Sequence, residues 1–126
     1  MTASLMIVSG SAAGFLSVAL GAFAAHAMKG RYSPEMMTIF ETGVRYQMYH
    51  ALALLAAGLL SRQDPLPVFH AAGLFFLAGV LIFSGSLYLL VITGIRTWGA
   101  VTPLGGLLLL AGWASLTWGA IRLRAG

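Results

Sequence analysis

The sequence contains no cysteine and few charged residues. Of its 126 residues, 8% are charged and 60% are hydrophobic, whereas a soluble domain carries about 25% charged and roughly 45–50% apolar residues. So few polar side chains do not cover a globule in water, which excludes a soluble enzyme, and the high hydrophobicity excludes a disordered chain. The absence of cysteine excludes a disulfide framework, a thiolate zinc site, a cysteine-ligated iron–sulfur cluster and a cysteine nucleophile.

Enzyme signatures are missing as well. The sequence has no nucleotide-binding loop, no Gly-x-Ser-x-Gly, no His-Glu-x-x-His and no paired catalytic carboxylates. We therefore expect no enzymatic activity, no cofactor and no bound metal. The net charge is +4, but the basic residues are scattered over helix ends and loops. This distribution is typical of membrane-flanking charges, so we expect no nucleic-acid partner.

Four apolar segments divide the chain. A membrane-spanning helix needs about 20 predominantly apolar residues, and in hydrocarbon every backbone N–H and C=O must pair within the segment, which requires helices. The segments are residues 5–28, 43–60, 68–92 and 103–121. The second is the shortest and carries Arg45 near its start, and the third follows a short loop. The sequence predicts one domain over residues 1–126, an all-α membrane protein with a bundle of four transmembrane helices.

The region before the second span is more polar than the spans. Ser33-Pro34, Asp64-Pro65 and Thr102-Pro103 have the cap-plus-proline pattern that starts helices. Within residues 34–45, apolar side chains recur every three or four positions among polar ones, which predicts a short amphipathic helix near the membrane interface. The alternative is one long, tilted second helix from Pro34 to Leu60.

Small residues form stripes along the first and last spans. Lipid tails are as apolar as leucine, so helices associate in a bilayer through close backbone approach, which small residues permit. We expect both stripes to face other helices, either in the same chain or in another copy. The stripes are Gly10, Gly14, Ser17 and Gly21 in the first span, and Gly105, Gly112 and Gly119 in the last.

Aromatic residues mostly lie near the predicted helix ends, as interfacial anchors do. The group comprises Tyr32, Tyr46, Tyr49, Trp98, Trp113 and Trp118, and we expect most of them near the membrane surfaces.

Polar side chains are concentrated between the first two spans. On a helix, Glu41 and Arg45 are four residues apart and can form an ion pair. His26 closes the first span, and we expect it to meet His50 at one end of the bundle. The candidate polar or ligand site comprises His26, Glu41, Arg45, Tyr46, Gln47 and His50. One interpretation is structural, in which these groups hold the helices together; the other is a binding site for a proton or a quinone-like headgroup.

These residues also carry a resemblance. The segments Leu20–Lys29 and Phe40–Leu54 resemble the bacterial YgdD family, and Phe83–Tyr88 and Thr102–Gly106 are similar to it more loosely. The family consists of small inner-membrane proteins of unknown function, with mitochondrial relatives in animals. The resemblance implies a four-span protein of the bacterial inner membrane with no established biochemical activity, and it supplies no catalytic residues.

Two functions follow as expectations. The first is a non-enzymatic integral membrane protein that forms homo-oligomers or serves as a subunit of a membrane complex, with the lipid bilayer as its surroundings. The alternative is a binding or transport protein for a proton, a quinone or another small ligand, using a polar site around His26 and His50.

Overall fold

A computed structural model describes residues 1–125, with side chains described through residue 123. The chain is helical throughout, which confirms the all-α prediction. Four long helices follow one another with short connections. They are α1 (Ala3–Phe23), α2 (Pro34–Gln63), α3 (Pro67–Thr93) and α4 (Thr102–Ala125). A π-helical segment, Ala24–Met28, extends α1, and a 3₁₀ helix, Arg96–Ala100, precedes α4.

Three of the described helical segments are long and apolar enough to cross a membrane. They are Ala3–Met28, Pro67–Thr93 and Arg96–Leu123. The fourth long helix, α2, has 30 residues, which corresponds to about 45 Å of helix and exceeds the roughly 30 Å of a hydrocarbon core. It is long enough to cross, but its polar residues make it less apolar than the other three.

Local sequence signals explain most helix ends. The Ser33 hydroxyl accepts a hydrogen bond from the Met36 N–H at 3.2 Å, and Pro34 occupies the first turn of α2. The prediction that Asp64 caps the third span is wrong, because α3 begins at Pro67 after Leu66 and has no side-chain cap. A second proline two residues after Pro65 displaces the helix start.

The amphipathic segment of residues 34–45 is not a separate helix. It forms the first turns of α2, which runs unbroken to Gln63, so the long-helix alternative is the one observed. Gly43 does not bend the chain. It is buried, and a Cβ there would lie 2.7 Å from the Tyr88 ring. The glycine therefore permits close approach of α2 and α3.

The helices pack as consecutive antiparallel neighbours. α2 and α3 are central, α1 packs on α2, and α4 packs on α3. α1 meets α3 mainly near its start, where the buried Met6 packs against Gly73. α2 and α4 hardly meet along their backbones, which leaves a groove between them above α3.

The glycine stripe of α1 lies against α2. A Cβ on Gly10 would be 2.8 Å from the Ala51 carbonyl oxygen, whereas one on Gly14 would be 4.0 Å from the Ala51 Cβ. Ser17 is buried, and its hydroxyl donates to the Ala13 carbonyl at 2.8 Å. The closest approach of the two backbones is therefore at Gly10, and the interface is looser at Gly14.

The glycines of α4 lie against phenylalanines of α3 that share their spacing of seven residues. A Cβ on Gly112 would be 2.6 Å from the Phe76 ring, and one on Gly105 would overlap the backbone of Phe83. The pairs are Gly105 with Phe83, Gly112 with Phe76 and Gly119 with Phe69. We call this contact the glycine–phenylalanine ladder. It brings α4 onto α3 over most of its length.

The ladder can be tested with two adjacent glycines. We expect Gly105→Ala to lower the free energy of unfolding by about 1–3 kcal/mol, the range for overpacking, because the backbone of Phe83 cannot yield. Gly106→Ala is the matched control, since its Cβ would meet nothing closer than 3.9 Å. Thermal unfolding in one detergent measures both. Equal melting temperatures for the two variants would contradict the ladder.

Candidate functional site

The structure distributes the predicted site residues over three places. Gln47 is buried between α1, α2 and α3, whereas Tyr46 and His50 face α3 and α4. The remaining three are exposed, and they are His26, Glu41 and Arg45. The polar block is thus not one site, because α2 turns its polar residues toward different neighbours.

His26 and His50 do not come together. His26 lies in the π-helical segment at the loop end of α1, whereas Met48 and Ala51, which flank the position of His50, face Gly14. Gly14 precedes His26 by twelve residues, or about 18 Å along a helix. The shared histidine site expected from the sequence is therefore not formed. α2 starts at Pro34 instead of near Gly43, which places His50 far below the loop.

The expected ion pair of Glu41 with Arg45 is also not formed. Among the described side chains, the ion pair within 4 Å joins Arg96 to Glu35, with N···O distances of 2.9 and 3.2 Å. The hydrogen bonds and the positive charge of Arg96 hold the pKa of Glu35 below its usual value. This ion pair joins the segment between α3 and α4 to the start of α2. It is observed in place of the predicted pair of Glu41 with Arg45.

Gln47 is the centre of one hydrogen-bonded node. Its amide Nε2 donates to the Ala13 carbonyl of α1 at 2.9 Å, and its Oε1 accepts from the Tyr88 hydroxyl of α3 at 2.7 Å. One turn away, the Ser84 hydroxyl donates to the Gly43 carbonyl at 2.7 Å. The node therefore links three helices and leaves Gln47 without free polar atoms.

His50 is the centre of a second node. Its Nδ1 lies 2.6 Å from the Tyr46 carbonyl oxygen, and its Nε2 lies 3.1 Å from the indole Nε1 of Trp113. A carbonyl only accepts and an indole N–H only donates, so the neutral, Nδ1-protonated imidazole satisfies both. The histidine thereby connects α2 to α4 and has no lone pair left for a metal.

Trp113 belongs to the His50 node, which the sequence did not predict. Most aromatic residues of its group are predicted near helix ends, but it lies in the middle of α4 and donates to His50. The Trp113 ring also packs edge-on against Phe76, with ring centroids 5.3 Å apart. A tryptophan in the middle of an apolar helix was the available signal, since its indole N–H needs an acceptor where water is absent.

A groove lies between α2 and α4, with α3 as its floor. Its main cavity has a volume of about 730 Å³, and a smaller one of about 410 Å³ continues it past Tyr49 and Trp113 toward Leu116. Tyr46 stacks on Phe83 at 4.6 Å between ring centroids. We call this feature the α2–α4 groove. The main cavity is lined by Tyr46, Tyr49, His50, Phe83, Pro103, Gly106, Leu107, Leu109, Leu110 and Trp113.

Comparison with known proteins identifies the family. Residues 20–106 match DUF423, described as a protein of unknown function. The chain is a DUF423 protein. A UPF0382 membrane protein of Staphylococcus haemolyticus is 47% identical over 112 residues, covering 89% of this chain and 91% of the relative. The UPF0382 inner membrane protein YgdD of Escherichia coli K12 is 40% identical over 124 residues, covering 98% and 95%. No solved structure matches the chain.

The match to DUF423 confirms the resemblance seen in the sequence. The matched range contains all of α2 and α3, and thus Gln47, His50 and Tyr88. The DUF423 relatives are named as membrane proteins, but their names state no activity. In the described part of this DUF423 chain, no three His, Asp or Glu residues lie close enough together to hold a metal ion.

The bond between Trp113 and His50 should stabilise the bundle. We expect Trp113→Phe to lower the free energy of unfolding by about 0.6 kcal/mol, and by up to roughly 1.7, the measured range for interhelical hydrogen bonds in a membrane protein. Trp118→Phe on the same helix is the control, because the two tryptophans are similarly exposed, at 55% and 45%, and it is the indole of Trp113 that bonds to His50. Unfolding in mixed detergent measures the difference. A loss in Trp118→Phe as large as in Trp113→Phe would refute the role of this bond.

Proposed function

We propose that the chain is a non-enzymatic, multi-pass protein of the bacterial inner membrane, in which all four helices cross the bilayer. In this proposal it acts as a self-associating unit or as a small accessory subunit of a membrane complex. One observation carries it: among the described side chains, every buried polar atom has a hydrogen-bond partner within the chain. The buried polar residues thus hold the helices together, which supports a structural role for them.

A crossing α2 is supported by its position. It lies between α1 and α3, and its polar side chains Gln47 and His50 are buried and hydrogen-bonded. A polar residue inside a membrane is tolerated when it faces the bundle interior and has a partner. The lower hydropathy of α2 is therefore compatible with a transmembrane position. The relatives named as membrane and inner membrane proteins support the location.

Labelling of single cysteines tests the four crossings. The chain has no cysteine, so Ser33→Cys, Gln63→Cys and Thr97→Cys each introduce one thiol at an exposed position at or near the end of a long helix. We expect a membrane-impermeant maleimide to label Ser33→Cys and Thr97→Cys from one side of the membrane and Gln63→Cys from the other. Labelling of Ser33→Cys and Gln63→Cys from the same side would contradict a crossing by α2.

Assembly is supported by the two outer helices. α1 and α4 each pack mainly on one neighbour, so each has a wide apolar face outside the bundle. Phe15 and Val18 of α1 are 75% and 65% exposed, and Leu107 and Leu110 of α4 are similarly exposed. In a bilayer other helices can pack against such faces. Association there depends on close packing, because lipid tails are as apolar as these side chains and no water is released.

The mass of the protein in native lipid tests assembly. We expect protein extracted with its lipid by an amphipathic polymer to give a mass above the 13.2 kDa of one chain, either a multiple of it or its sum with another subunit. A harsh detergent that strips lipid serves as the control and should give the single chain. A single chain in native lipid as well would contradict the proposal.

A further inference from the structure

In the proposed function, on which this inference rests, all four helices cross the bilayer, and two tyrosines of the α2–α4 groove then lie near its middle. Tyr49 follows Met48, which faces Gly14 of α1, and Gly14 is close to the midpoint of the Ala3–Met28 segment. On the opposite wall, Trp113 is close to the midpoint of α4, Thr102–Ala125. Tyr46 is one turn from Tyr49, with ring centroids 5.9 Å apart. Both phenols therefore reach the groove at mid-membrane depth.

Neither phenol hydroxyl has a hydrogen-bond partner among the described residues, whereas each side-chain polar atom of the nearby Gln47 and His50 has one. Tyr46 is 38% exposed and Tyr49 is 51% exposed, and both line the main cavity. Hydrocarbon supplies no acceptor, so a phenol there lacks a partner unless something else provides one. The hydroxyls of Tyr46 and Tyr49 are thus available to a molecule that carries an acceptor at this depth.

The depth selects the chemical class of that molecule. Ester and phosphate oxygens of phospholipids lie at the edge of the hydrocarbon core, about 15 Å from its middle, and acyl tails have no acceptor. A membrane-soluble molecule with carbonyl oxygens on a flat ring can reach the middle. Aromatic side chains form the walls beside the phenols, including the stacked pair of Tyr46 with Phe83 and the indole of Trp113.

The size of the groove agrees with a ligand site. The main cavity of about 730 Å³ lies within the roughly 300–1,000 Å³ of small-molecule pockets. The continuation toward Leu116 extends it along α4. Gly106 lines the main cavity and has no side chain that would fill it.

The geometry points to a binding site for a quinone with an apolar tail in the α2–α4 groove. The ring lies against Phe83 and Trp113, its carbonyl oxygens accept hydrogen bonds from the hydroxyls of Tyr46 and Tyr49, and the tail follows the groove past Leu116. The ligand enters laterally from the lipid. Binding involves no redox step, and it is independent of whether the protein assembles with other subunits.

Fluorescence of Trp113 measures occupancy directly. In a Trp98→Phe, Trp118→Phe background, Trp113 is the one remaining tryptophan. We expect decylubiquinone, added to the protein in lipid nanodiscs, to quench its emission with saturation. Tyr46→Phe and Tyr49→Phe should each weaken binding by about threefold to tenfold, as for loss of a neutral hydrogen bond. Tyr32→Phe is the matched control and should bind as the parent does, because Tyr32 lies in the α1–α2 connection.

Blocking the groove gives a second variant that does not depend on the phenols. Gly106 lines the cavity, and its Cβ would meet only the Phe83 ring at ordinary contact distance. We expect Gly106→Leu to abolish saturable quenching while its melting temperature stays that of Gly106→Ala.

Three results would overturn the inference. They are quenching that rises linearly without saturation, unchanged affinity in both groove tyrosine variants, and displacement of the quinone by decylbenzene, which has a similar tail and no carbonyl. A cross-link from Tyr49 to a helix of another subunit, with no quinone binding, would overturn it as well and would leave the proposed assembly role intact.

Discussion

The structure depends on one constraint: the interior of a bilayer offers no hydrogen-bond partners. A buried polar side chain in such an interior is stabilised by a partner within the protein, and the packing around α2 follows from where its buried polar groups find their partners. Gln47 and His50 lie one turn apart on α2, yet they bond in different directions, one to α1 and α3 and the other to α4. α2 is central because its polar residues need partners on both sides.

Close packing serves the same arrangement. α2 contacts α3 through Gly43, and α4 does so through the glycine–phenylalanine ladder. At these contacts α3 has a large aromatic side chain and its neighbour has a glycine. The backbones approach closely at these points. The same approach brings the Tyr88 hydroxyl and the Trp113 indole within hydrogen-bond distance of α2. Small residues and polar residues therefore act together, since the bonds form only where the helices are close.

The sequence was sufficient for features that depend on nearby residues. The helices, the cap at Ser33, the positions of the small residues and the family resemblance could all be read from it. It was insufficient where the outcome depends on helix rotation. Glu35 binds Arg96, and His50 binds Trp113, although each pair is separated by some sixty residues. Spacing within one helix favoured Glu41 with Arg45, because a four-residue interval is visible in sequence and an interhelical distance is not.

The repeat of seven in the ladder has a consequence for alignment. Because glycines and phenylalanines recur at the same interval, α4 slid by one repeat, a shift of about 10 Å, would still form two of the three pairs. Loss of one pair is then the part of the alignment that the ladder itself controls. Specific polar contacts also distinguish the two registers: the hydroxyls of Ser86 and Thr102 lie 2.6 Å apart, and Trp113 reaches His50. These two contacts lie at different heights along α4, so a slipped helix would lose both at once, and together they select a single alignment.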